Sequence, residues 1–266
     1  MLNLWFQEPR ILGIAQAVVT ILLALAIVLL ARRRDIRLER ETLVALLRGL
    51  VQVVAVGSVL LLFLSWPRWI AIPALLAMML AAANIAARRA AGIPGAFWVS
   101  LWSIGLGSGF VILSMTWLGV IDPDLSSLIP VGSMLIANAM NTNGLALDRF
   151  RSEVESHAGQ IEAALALGAD SKDTVTPYVQ AAVQASLIPR IDTLRSLGIV
   201  WIPGLMAGML LTGEDPVYAA IYQFVVIAMI YAAAGLTSVA CTLLIRSRAF
   251  TPAEQLVLRP GRGSKG

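Results

Sequence analysis

Charge is scarce in this 266-residue sequence, at 14% of positions, and cysteine and histidine occur once each. A soluble domain averages about 25% charged and about 45–50% apolar residues. Here 58% of residues are hydrophobic and the mean hydropathy is +0.81. The lone Cys241 excludes an internal disulfide framework, and a single histidine, His157, with one cysteine cannot build a conventional zinc site. There is no Walker-type G-x-x-x-x-G-K-[ST]; the tail Gly261-Arg262-Gly263-Ser264-Lys265-Gly266 is too short a match and follows no strand. Without a G-x-S-x-G elbow or paired intramembrane aspartates, hydrolase and intramembrane-protease readings have nothing to stand on. No cofactor is expected on this chain. Any uphill work must draw on an ion gradient or a partner.

What the sequence does have is long apolar runs. About 20 such residues cross about 30 Å of hydrocarbon, and in hydrocarbon a helix satisfies its own backbone. The expected fold is therefore all-α, a polytopic membrane bundle of about seven helices. One transmembrane domain over residues 1–250 is predicted, with spans near 11–31, 43–65, 70–87, 96–121, 125–147, 197–213 and 217–245. The sixth is the weakest, because Pro203 and several glycines interrupt it. The first run lacks a basic n-region and a small-x-small cleavage site before Arg32, so it reads as a retained helix.

Orientation follows from arginine and lysine in the short loops. One side collects Arg32, Arg33, Arg34, Arg37, Arg40, Arg88, Arg89, Arg149, Arg151 and Lys172, and the tail 251–266 adds Arg259, Arg262 and Lys265 after Arg246 and Arg248. The other side holds only Arg10 and Arg68 against Glu8, Asp122, Asp124, Glu214 and Asp215. This places the N-terminus outside and the C-terminus in the cytoplasm. The net charge of +4 is then a topology signal, and nucleic-acid binding is not needed to explain it.

The longest loop, 148–176, is expected in the cytoplasm. Within it Val154, Ala158, Ile161 and Leu165 fall at i, i+4, i+7 and i+11, one apolar stripe of a helix, with Glu155 and Glu162 off the stripe. Gly168 suits the residue that ends such a helix, and Asp170 or Ser171 can cap the next. A short amphipathic helix, a sharp turn and a second helix entering the membrane make an element that can transmit a push.

Polar residues inside apolar runs are costly unless they face protein or water. Met134, Asn138, Met140, Asn141 and Asn143 cluster in the fifth span; Met134, Asn138 and Asn141 share a face. With Met206 of the sixth span they are either gap-filling thioethers and interhelical amides or a substrate path. Met134, Asn138 and Met206 are the candidate metal ligands, since thioethers favour soft metals and amide oxygens harder ones. Arg190, Asp192 and Arg195 are too close together for a lipid-facing helix. The segment 176–196 either lies along the membrane surface or lines a wet cavity, and the expectation is a cytoplasm-facing approach helix. Asp192 is available as a cation contact or as partner of a neighbouring arginine. Gly105-x-x-x-Gly109 and Gly204-x-x-x-Gly208 are small-x-x-x-small patterns. Pro203 and Gly204, with Gly208, mark either a hinge or a static kink.

Glu162-Ala163-Ala164-x-x-x-Gly168 has the form of the E-A-A-x-x-x-G coupling loop of ABC-transporter permeases, although Tyr178 departs from the I-x-L-P that follows it in importers. A second resemblance covers about 220 residues. It runs through Arg48-Gly-Leu-Val-Gln52, Asn84, Pro130-Val-Gly-Ser-Met134-Leu-Ile-Ala-Asn138-Ala-Met140 and Leu167-Gly168-Ala169. It continues with Leu187-Ile188-Pro189-x-x-Asp192, Gly198 to Gly208, Gly213-x-Asp215-Pro216 and Tyr222-Gln223. In these segments the chain resembles the FetB-type permeases, a family of metal (iron) exporters that includes plant aluminium-tolerance half-transporters. Ser133 and Ala137 stand where the family usually has glycine, and Leu205 replaces a methionine.

The resemblance implies a permease subunit in a bacterial inner membrane that exports a metal ion by alternating access. ATP and Mg would sit on a separate ABC ATPase, and two permeases would pair with two ATPases. Glu162, Ala163, Ala164 and Gly168 would form the coupling element. The alternatives are an ABC permease for a non-metal solute, an ion-driven carrier working alone, and a non-transporting membrane scaffold.

Overall fold

The computed structural model describes residues 9–32, 39–63, 67–90, 93–251 and 254–258. Arg33, Arg34, Arg37, Arg259, Arg262 and Lys265, which entered the orientation argument, lie outside the described residues, as does most of the expected tail 251–266. Every described element is helical, apart from two isolated bridges.

The chain divides into residues 1–66 and 67–266. The first unit holds α1 (Pro9–Arg32) and α2 (Glu39–Phe63), which touch each other. Leu22, Leu23 and Leu30 of α1 and Val51, Val53 and Val54 of α2 are all at least 60% exposed. Water does not tolerate apolar faces of this extent on a monomer; hydrocarbon or another protein does.

The second unit contains α3 (Ala71–Ala87), α4 (Ala96–Ile104) and α5 (Phe110–Trp117), then α6 (Leu125–Ser156) and α7 (Ala158–Ala166). It ends with α8 (Ser171–Ser196), α9 (Gly204–Leu211) and α10 (Pro216–Arg246). Helices α6, α8 and α10 pack along one another, and α3 and α4 close the other side of α6 and α10. Small residues let the backbones approach: Ala82, Ala83 and Ala86 of α3, Ala139 of α6, and Ala233 and Ala234 of α10 are all buried. One layer of core gathers Leu75, Ile104, Leu135 and Ile230. A second gathers Leu147, Phe150, Val154, Ile161, Val175 and Ile245, and so ties α7 and the start of α8 to the bundle.

Among the described residues four stretches are long and apolar enough to cross a membrane: Ile11–Leu30, Arg68–Ala90, Ala96–Trp117 and Pro216–Arg246. Between α4 and α5 the chain takes a π-helical turn, Gly105–Gly109, inside the third of these. Within the small pattern Gly105-x-x-x-Gly109 the closest approach is made by neither named glycine: Gly109 only reaches Met79 of α3, at 3.6 Å from an added Cβ. A Cβ on Gly105 would meet nothing within 4 Å, whereas one on Gly107 would lie 2.0 Å from the Thr237 hydroxyl of α10. The π turn adds a residue to the helical register, and that brings Gly107 onto α10.

The predicted span 197–213 needs correction. Only Gly204–Leu211 is helical there, eight residues or about 12 Å at 1.5 Å per residue, too short to cross about 30 Å. The element that runs beside α10 is α8, of 26 residues. Over 176–196, α8 is packed along α6 and α10, and Ser186 of α8 meets Ser238 of α10, Oγ to Oγ 2.6 Å. Ser186 and Arg190 bond to other helices while Gln180, Gln184, Asp192 and Arg195 are exposed, and together they lower its hydropathy below that of its neighbours.

The expected loop 148–176 is mostly helix. α6 runs on through its charged end, held by the i,i+4 pairs Arg149–Glu153 and Arg151–Glu155, each 2.7 Å. The buried stripe Phe150, Val154, Ala158 and Ile161 passes from α6 into α7 across a break at His157, whose ring stacks on Tyr178 at 4.9 Å. Gly168 then turns the chain at φ +87°, a conformation that costs glycine little. Asp170 caps α8 by accepting a hydrogen bond from the Lys172 N–H at 2.7 Å.

Candidate functional site

A cavity of about 210 Å³ opens where α6, α8, the α8–α9 break and α10 meet. Each wall follows from its local structure. Helix α6 contributes Met134 and Asn138, one turn apart on the same face. Helix α8 contributes Arg190 and Thr193. At Leu197 the backbone leaves the helix, makes a turn through Gly198 that Leu197 and Trp201 close, and starts α9 after Pro203, at ψ 147°; this break supplies Trp201, Pro203 and Gly204. Helix α10 closes the cavity with Gln223, Ile227, Ile230 and Tyr231.

Two amides fix this arrangement. The Asn138 Nδ2 donates to the Met134 carbonyl at 2.8 Å, and its Oδ1 accepts from the Arg190 Nη1 at 2.5 Å. Across the cavity the Gln223 Oε1 accepts the Met206 backbone N–H at 3.2 Å. That N–H is one of the four that the start of any helix leaves without an intrahelical partner, so Gln223 pins α9 to α10. Both acceptor oxygens are thus engaged internally. The atoms left buried without a partner are donors, the Arg190 Nε and the Gln223 Nε2. Among the described residues no carboxylate lies within ion-pair distance of Arg190; the nearest ion pair in sequence, Arg195–Asp192, lies within α8 itself.

Met134 and Asn138 therefore line one cavity beside Pro203 and Gly204. The other expected path residues do not join them. Met140 is half-buried against the apolar core, and Asn141 is exposed. Asp192 is 61% exposed on the far face of α8, 3.6 Å from Arg195, in a separate shallow depression with Gln184 and Ile188. Met206 is half-buried and is not among the lining side chains. The three candidate metal ligands Met134, Asn138 and Met206 do not converge on one point of this cavity, and the Asn138 oxygen already holds a guanidinium. Among the described residues no cluster of three histidine, cysteine or carboxylate side chains could hold a metal ion.

Asn143, grouped with the other asparagines in sequence, faces away from them and donates to the Ser100 hydroxyl of α4 at 2.9 Å. A Cβ added at Gly204 or Gly208 would meet nothing within 4 Å, so among the described residues that small pattern makes no close helix contact. The residues that sequence reasoning passed over are Arg190, filed with its charged neighbours, and Gln223. The signal for Gln223 was present: it is a lone amide in an otherwise apolar run.

At the other end of α6 and α8, the expected coupling residues sit together on α7 and its turn. Glu162, Ala163 and Gly168 are exposed, Ala164 is half-buried, and Leu167 between them is 90% exposed.

Comparison with known proteins agrees with the resemblance read from the motifs. The chain is 32% identical over 244 residues to Protein ALUMINUM SENSITIVE 3 of Arabidopsis thaliana, covering 91% of this chain and 88% of that one. It is 30% identical over 242 residues to the membrane protein YjkA of Bacillus subtilis, covering 89% and 95%. It is 29% identical over 239 residues to the Probable iron export permease protein FetB of Escherichia coli, covering 90% and 92%. No solved structure matches the chain. Residues 14–250 match the uncharacterised protein family UPF0014, and the chain belongs to that family.

Proposed function

On that membership we propose that the chain is the membrane-spanning permease subunit of an ATP-binding cassette transporter in a bacterial inner membrane. It works by alternating access, with ATP and Mg held by a separate ATPase, in a complex of two permeases and two ATPases. Its N-terminus is outside and its C-terminus cytoplasmic. The seven crossings are α1, α2, α3, α4 with α5, α6, α8 with α9, and α10. Export of a metal such as iron is the cargo reading, supported by the name of the Escherichia coli relative.

One observation carries the reading. Helix α6 holds Asn138 in the cavity and continues without a break to Ser156, where α7 presents Glu162 and Leu167 before the chain turns back into α8. Helix α8 in turn carries Arg190. The same two helices thus join the exposed tip to the cavity, so that a partner moving the tip moves the cavity walls. The α8–α9 break at Pro203–Gly204 is where the walls can part: its backbone is irregular at membrane depth and borders a cavity, the setting in which such breaks persist.

The test is purification of the tagged chain from its own cells together with transport in vesicles. The reading expects a nucleotide-hydrolysing subunit to copurify and transport to require ATP. Transport by the chain alone under an ion gradient would replace it with a secondary carrier.

A further inference from the structure

The charge and hydrogen-bonding sense of the cavity point to the form of its cargo. An arginine side chain stays protonated at any physiological pH. Burying such a charge without a counter-charge costs several kcal/mol. Arg190 has one neutral acceptor, the Asn138 oxygen, and no carboxylate among the described residues. On the facing wall the Gln223 Oε1 is spent on the Met206 N–H, which leaves its Nε2 as a donor. The cavity therefore offers a guanidinium and an amide N–H; the Asn138 and Gln223 oxygens each already accept a hydrogen bond, and the remaining side-chain acceptors on its wall are the neutral hydroxyls of Thr193 and Tyr231 and the Met134 thioether, with no carboxylate among the lining residues. A bare metal cation would meet a like charge and donors. An oxyanion would meet the fork that matches carboxylate and phosphate oxygens. At about 210 Å³ the space is below the roughly 300 Å³ where drug-sized ligand pockets begin, so the occupant is small.

We propose that the Arg190–Gln223 cavity binds a small carboxylate- or phosphate-bearing anion, and that a metal passes this site only as a complex with such an anion. This rests on the permease reading for its role in transport, but the binding itself is a property of the isolated chain. Free anion and metal-bound anion share the chemistry and are separated by the test.

The full chain in lipid nanodiscs is titrated with citrate, inorganic phosphate, ferric citrate and ferrous ion alone, and thermal stability is recorded. Citrate or phosphate should raise the midpoint in a saturable way, and ferrous ion alone should not. Arg190→Gln should weaken that response at least tenfold, with Arg190→Lys in between because it keeps the charge and loses the fork. Should Arg190→Gln fold poorly, the wild-type chain gives the same answer. Phenylglyoxal modification of Arg190, followed by mass spectrometry, should be blocked by citrate, while the exposed Arg195 continues to react. Protection by ferric citrate only assigns the metal complex; equal protection by free citrate assigns the anion itself. Protection by ferrous ion alone, or by none of the four probes, overturns the proposal. Failure of an ATPase to copurify would remove the permease reading and leave the anion result standing, so the two can fail separately.

Discussion

Arg190 of α8 donates to the side-chain oxygen of Asn138, and the amide nitrogen of Asn138 donates to the Met134 carbonyl one turn back on α6. The pair is the polar bond between two helices that otherwise meet through apolar contacts. Asn138→Leu removes the only acceptor that Arg190 has among the described residues, and a hydrogen bond to a charged group contributes about 1.5–3 kcal/mol. The variant should unfold at a clearly lower temperature in the purified chain. Asn138→Asp should keep or raise that temperature, because it supplies a carboxylate to Arg190, yet it should lose transport by neutralising the cavity. A stable Asn138→Asp with normal transport would show that the guanidinium does not act on the cargo.

The π turn offers a sharper packing test. On Gly107 an added Cβ would lie 2.0 Å from the Thr237 hydroxyl and 2.7 Å from the Ala233 carbonyl, both on α10. Overpacking of this kind costs about 1–3 kcal/mol. Gly107→Ala should therefore destabilise the chain, while Gly105→Ala, which meets open space two residues earlier, should not. Equal midpoints for the two variants would mean that α4 and α10 are not so closely seated.

Gly168 turns the chain between α7 and α8 at φ +87° and has nothing within 4 Å of an added Cβ. Alanine there meets no clash but incurs the left-handed penalty of roughly 1–2 kcal/mol. Gly168→Ala should therefore leave assembly largely intact while distorting the α7 tip, reducing transport more than ATPase activity in the reconstituted complex. Gly159→Ala, inside α7 and equally unobstructed, is the control and should be neutral or stabilising by about 0.5–1 kcal/mol. Unchanged coupling in Gly168→Ala would take the α7 turn out of the mechanism.

Asp215 accepts hydrogen bonds from the Val217 N–H at 3.0 Å and the Tyr218 N–H at 2.8 Å, with Pro216 in the first turn of α10. Removing such a cap costs about 0.5–2 kcal/mol. Asp215→Ala should lower the thermal midpoint accordingly, and Asp215→Asn should recover most of it. If the midpoint ignores both changes, the start of α10 is held by something other than its cap.

The sequence was readable wherever one physical force acts alone. The apolar runs of α1, α3, α4 with α5 and α10 answer only to solvent, and hydropathy finds them. Gly168 and Asp170 obey local backbone rules and take the turn and cap those rules assign. Reading failed where two demands compete. In helix α8 Ser186 and Arg190 bond to α10 and α6 while Gln180, Gln184, Asp192 and Arg195 are exposed, so averaging over its length hides a bundle helix and moves the sixth span downstream to 197–213. Arg190 and Asp192 look like one cluster in the sequence, yet two helical steps put them about 200° apart around the axis. The spacing of Gly105 and Gly109 suggested a contact face, but a π turn rotates the register, and spacing alone does not register that rotation.

The uninterrupted length of α6 sets a ratio. Asn143, flanked by buried Thr142, Gly144, Ala146 and Leu147, holds α6 against its neighbours part-way along its length. From there Asn138 is about 7 Å away and Ser156 about 20 Å, at 1.5 Å per residue. If α6 tilts as a stiff bar about that fulcrum, its charged end sweeps nearly three times the arc of its cavity end. Such gearing steps motion down and force up, which suits prising apart a polar clasp better than carrying a solute over distance.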